Sequence, residues 1–134
     1  MNEQDRELLF IDLCGRLPYG VKCSHPYGIG KLESIAKEEH GIDVTFETPD
    51  DNYYSIDGCK PYLFPLSSMT EEQKVEYDKM SELDIEYTIT QIENNSQIWT
   101  SRLNRFNWLL KNHFDVYGLI PMDLAIDATN LEIY

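Results

Sequence analysis

Between Val21 and Pro65 the chain is cut into short β-type runs by glycine, proline and Asp or Asn, and this confines about a third of it to brief strands joined by tight turns. Strands are expected near Val21–Ser24, Lys31–Ala36, Asp43–Glu47 and Tyr53–Ile56. The breaks are Pro26-Tyr27-Gly28-Ile29-Gly30, Glu38-Glu39-His40-Gly41 and Thr48-Pro49-Asp50-Asp51-Asn52, lengths that suit hairpin or strand connections. In Asp43-Val44-Thr45-Phe46-Glu47, Val44 and Phe46 share one face, as in a half-buried strand of an antiparallel sheet.

Helical patterning flanks this segment. From Glu3 to Leu17, Leu9, Leu13 and Leu17 recur at fours beside Leu8, Phe10, Ile11 and Cys14, giving an amphipathic helix that Pro18 and Tyr19-Gly20 end. After Pro61-Tyr62-Leu63-Phe64-Pro65, Thr70 with Gln73 forms a capping box, and Glu71 and Glu72 favour the positive end of a helix running to about Ser81. Leu83, Ile85, Tyr87 and Ile89 then alternate with polar residues, which favours a strand, although Ile85, Ile89 and Ile92 also fit a helical stripe. Asn94 with Gln97 is a second capping box. It opens a long helix carrying Ile98, Trp99, Leu103, Phe106, Leu110 and Phe114, wide enough in its apolar face to serve as the central packing helix. Beyond Tyr117-Gly118 a short turn and an extended tail are expected.

The fold class is therefore α+β in a single domain over 1–134: a helix in 1–20, a small β segment in 21–66 and a mainly helical segment with an extended tail in 67–134. The β segment forms a small antiparallel sheet or an open barrel. Its order of strand, Gly-x-Gly turn, strand, loop and strand resembles Src-homology and Tudor-like barrels in texture, a likeness that carries no function across.

Twenty-four acids against eleven bases give a net charge of -13, divided evenly between the two halves of the chain. Such a surface repels phosphate backbones and anionic headgroups, so neither nucleic acid nor a membrane is an expected partner. A basic protein partner and plain solubility both remain compatible with it. Cys14, Cys23 and Cys59 are odd in number and unpaired in spacing, and the polar opening Met1–Glu7 is no leader; the expectation is a cytoplasmic protein with reduced thiols.

Several constellations resemble chemistry. Cys23, His25, His40 and Cys59 are zinc-type donors, but only one close pair exists where structural sites present two. Cys23 with His25 or His40 has the residue types of a nucleophile and base, with nothing to orient the base. His113-Phe114-Asp115 reads as helix capping, the imidazole meeting the negative end of the dipole. Gly28-Ile29-Gly30 lacks the remaining glycine of a nucleotide loop, Asp50-Asp51 and Glu38-Glu39 read as solvated loops, and Arg102 with Arg105 is too small a basic patch for nucleic acid. No set reads as catalytic, cofactor-binding or metal-binding, and no cofactor is expected. Tyr27, Tyr53, Tyr54 and Tyr62, beside Pro26, Pro49 and Pro61, form the candidate partner surface, because tyrosine at a loop offers an apolar face and a polar tip.

Three segments carry a resemblance: Asp12-Leu13-Cys14-Gly15-Arg16-Leu17-Pro18-Tyr19-Gly20-Val21-Lys22, Lys60 to Thr70, and Asn107 to Ala128. Together, under half of the chain resembles a family of uncharacterised proteins from Bacteroidetes chromosomes, prophages and mobile elements. The sequence departs from that family's tail at Val116-Tyr117, where a basic residue precedes the glycine, and at Asp123, where glycine is usual. The resemblance implies a mobile-element setting but assigns no activity. The leading expectation is a non-enzymatic protein-interaction module. Alternatives are a small enzyme with an unrecognised site and an acidic nucleic-acid mimic that blocks a basic protein.

Overall fold

The computed structural model describes residues 1–48, 52–81 and 96–134. Helix α1 (Glu3–Arg16) begins where the Asn2 side chain accepts the Asp5 amide at 2.7 Å, with Glu3 and Asp5 in its first turn. Its buried positions are Leu9, Asp12, Leu13 and Arg16, spaced at three and four along one face. Of the apolar residues expected to be covered, Ile11 and Cys14 face outward instead. The buried side is thus the Leu9–Leu13 seam with a charged pair set beside it.

Among the described residues six strands form one open sheet, in the order β4-β3-β2-β1-β5-β6: β1 (Lys22–His25), β2 (Gly28–Glu38), β3 (Gly41–Phe46), β4 (Tyr54–Ser55), β5 (Lys60–Leu63) and β6 (Ile126–Asp127). Neighbours are antiparallel except β5 and β6, which run parallel, so the sheet is mixed and the class is α+β. It does not close into a barrel. The four strands expected from the sequence are all present, and the turns between the first three are shorter than the sequence suggests. Gly28 to Gly30 belong to β2, leaving Pro26-Tyr27 as the first turn, and Glu39-His40 alone connects β2 to β3. Gly30 is required inside the strand because a Cβ there would lie 2.8 Å from that of Phe46.

β5 departs from expectation most. Pro61-Tyr62-Leu63-Phe64-Pro65 looks like a connector, yet Lys60–Leu63 lies between β1 and β6, with Pro61 opposite Cys23 and its ring buried. The core gathers Leu9 and Leu13 of α1 with Val21, Cys23, Leu32, Val44, Phe46, Ile56 and Leu63 of the sheet region and Leu119 and Leu124 of the tail.

Helix α2 (Glu71–Ser81) carries the expected capping box: Gln73 accepts the Thr70 amide at 2.9 Å, and the Thr70 hydroxyl accepts the Gln73 amide at 3.2 Å. The alternation at 83–92 and the Asn94–Gln97 box lie outside the described residues or side chains. Helix α3 (Ser96–Lys111) packs on α2, where Trp108 meets the Tyr77 ring and its indole N–H reaches Glu76 at 3.1 Å. Its described side chains bury Leu110 but leave Phe106 exposed, and among the described residues α1 supplies the helical face of the main core. No described helix is long and apolar enough to cross a membrane.

Candidate functional site

The four candidate tyrosines separate into two groups. Tyr27 on the β1–β2 turn and Tyr53 just before β4 are 84% and 74% exposed, whereas Tyr54 and Tyr62 are 9% and 8% exposed. Tyr62 is on β5, separated from β4 by three strands. An outer surface therefore narrows to Tyr27 and Tyr53, because the other two rings close the core.

Tyr27 borders a fixed aromatic stack. The His25 ring is 4.8 Å from Phe46 and 4.7 Å from Tyr54, and Tyr54 is 6.1 Å from Tyr27. Nδ1 of His25 accepts the Tyr27 amide at 3.2 Å, which stiffens the turn. His25 is thus committed to packing. His40 pairs with Asp43 at 2.7 Å on the opposite hairpin end, while Cys23 and Cys59 are buried, with burial pushing the Cys59 thiol up to about 12 and that of Cys23 still higher. A thiol so raised is a poor nucleophile and a poor ligand. The described residues contain no group of three or more His, Cys, Asp and Glu arranged to hold a metal.

The second feature was not singled out from the sequence. Asp12 and Arg16 are fully buried, and Arg16 donates to both carboxylate oxygens of Asp12 at 2.7 and 2.9 Å and to the Phe114 carbonyl at 2.6 Å. Arg16 Nη1 has no hydrogen-bond partner among the described residues. Burial raises the Asp12 carboxyl above its usual range despite the guanidinium beside it. The signal was present: an Asp and an Arg four apart, both on the side of Leu9 and Leu13.

Arg16 anchors the segment after α3, where the backbone turns sharply. His113 has φ 63, the left-handed region that disfavours non-glycine residues by roughly 1–2 kcal/mol. It is held there from several sides. The Phe64 amide donates to the His113 carbonyl and the Asp115 amide to the Phe64 carbonyl, both at 2.8 Å. The buried Asp115 carboxylate accepts the amides of Leu119 and Ile120 at 2.8 and 2.9 Å, so the acid caps the exit turn as its spacing suggests.

The histidine does not cap the helix as a cation. Its ring lies 3.7 Å from that of Tyr134 at 9°, and burial, with Arg16 and Lys22 nearby, lowers its pKa to about 4. Tyr134 is fixed in turn: its hydroxyl donates to the Tyr62 carbonyl at 2.8 Å and accepts the Lys22 amide at 3.0 Å. The folded imidazole is neutral where an unfolded one is protonated, so its contribution to stability is complete above pH 6.5 and is lost as pH falls from 6.5 towards about 4. His113→Asn, which tolerates the same backbone, is expected to flatten the fall of Tm over that range. Thermal unfolding profiles of equal slope for the two proteins would contradict this.

Between this lock, the start of α2 and the end of α3 lies a cleft of about 430 Å³. It is lined by Phe64, Phe114, His113 and Tyr134, with Lys111 at its edge. Compared with protein families, curated proteins and solved structures, the chain matches none.

Proposed function

We propose that the chain is a non-enzymatic protein-interaction module that holds a basic, extended segment of another protein against Tyr27 and Tyr53. The observation that carries this reading is the exposure of these two rings, 84% and 74%, with the Tyr27 ring 6.1 Å from Tyr54 in a packed stack with His25 and Phe46. A tyrosine on a stiff support presents contact area with little ordering cost on binding. Its face attracts Lys and Arg side chains, and the net charge of -13 draws a basic partner and rejects an acidic one.

Selection from a random displayed peptide library tests it. The expected winners are rich in Lys and Arg, bind more weakly as salt rises, and lose about tenfold or more in affinity to the double variant Tyr27→Ser, Tyr53→Ser. Both side chains are exposed, so that variant keeps the wild-type melting temperature. Enrichment of neutral sequences, or peptides that bind the double variant equally well, would remove the reading.

A further inference from the structure

The cleft beside His113 has a chemistry of its own. None of its lining residues is acidic, in a chain with 24 Asp and Glu, and Lys111 at its edge forms no ion pair among the described residues. One wall is aromatic and rigid: the Phe64 ring is 6.4 Å from Phe114 and 6.0 Å from Tyr134, and Tyr134 is stacked on His113. Backbone hydrogen bonds from Phe64 to the 113–115 segment, and from the Ala128 amide to the Leu63 carbonyl, fix that wall before any ligand arrives. Part of the lining is polar. Ser68 and Asn112 each give a hydrogen to a carbonyl, of Pro65 and Trp108, which leaves the hydroxyl and amide oxygens free to accept. The volume of about 430 Å³ lies within the range of small-molecule sites and suits one or two fused rings.

We infer that this cleft is a binding site for a small aromatic carboxylate, with the ring against Phe64 and Tyr134 and the carboxylate on the Lys111 ammonium. The ring replaces water on an apolar wall that is already formed. The carboxylate meets the ammonium of Lys111, the one lysine of the lining.

The test is a titration of the isotope-labelled full chain with indole-3-carboxylate, followed through amide shifts in NMR spectra, with indole-3-carboxamide run in parallel. Saturable shifts are expected at Asn112, His113 and Thr129, with the carboxylate bound about tenfold more tightly than the carboxamide. Lys111→Gln should bring the two compounds within about twofold of each other, and Lys111→Arg should keep them apart. Shifts that fail to saturate, that map to other residues, or that are equal for the two compounds in the wild-type chain would overturn the assignment. So would a difference that survives Lys111→Gln.

Discussion

Asp12→Ala is expected to lower folding stability by about 3–5 kcal/mol, the cost of leaving a buried charge without its counterpart. Both members of the pair are 0% exposed, and Arg16 has no route to water once the carboxylate is gone. The informative control is the double variant Asp12→Leu, Arg16→Met, because replacing a whole buried pair by apolar residues is often close to neutral. Here the recovery should be incomplete. The Phe114 carbonyl loses its guanidinium donor, and an unsatisfied buried carbonyl costs about 1–3 kcal/mol. Denaturant midpoints at unchanged m-value measure both steps. A single variant that unfolds within about 1 kcal/mol of the wild type would mean that the pair is not buried as described.

Phe114→Ala should cost about 3–5 kcal/mol by a different mechanism, the loss of a large apolar side chain that its surroundings cannot collapse around. Phe114 is 2% exposed, with the Trp108 ring stacked at 5.9 Å on one side and Phe64 edge-on at 6.4 Å. Phe114→Leu keeps most of the volume and should cost under about 1.5 kcal/mol. The alanine variant should also weaken the near-ultraviolet circular dichroism of Trp108. A loss below about 1 kcal/mol, with that signal intact, would show that the aromatic wall stands without this ring.

Much of the fold could be read because its signals are local. The Leu9–Leu13 periodicity, the Thr70–Gln73 box and the alternation of Val44 and Phe46 each depend on residues within a few positions of one another. What escaped depends on distant residues. Lys60–Leu63 is a strand because Cys23 and Ile126 lie on either side of it, and its own proline argues against a ladder position. β6 is two residues long and has no pattern of its own.

The candidate site was legible only in part. Tyr27 and Tyr53 were marked by their turn context, but the same context marked Tyr54 and Tyr62, which differ only in what the sheet places over them. Nothing near His113 in the sequence announces a left-handed turn locked by Tyr134, because the residues that enforce it come from Arg16, Phe64 and the tail. His113 looked like a charged cap for the same reason: the groups that keep it neutral are far away in the chain.

The guanidinium of Arg16 closes on a carbonyl 98 residues ahead, and the amide of Lys22 on a hydroxyl 112 residues ahead. At ribosomal speeds that second interval corresponds to on the order of ten seconds, during which the opening helix and first strand exist without the groups that satisfy them. The nascent chain must therefore stay soluble in an unfinished form, and a heavy surplus of mutually repelling acids is one means of doing so.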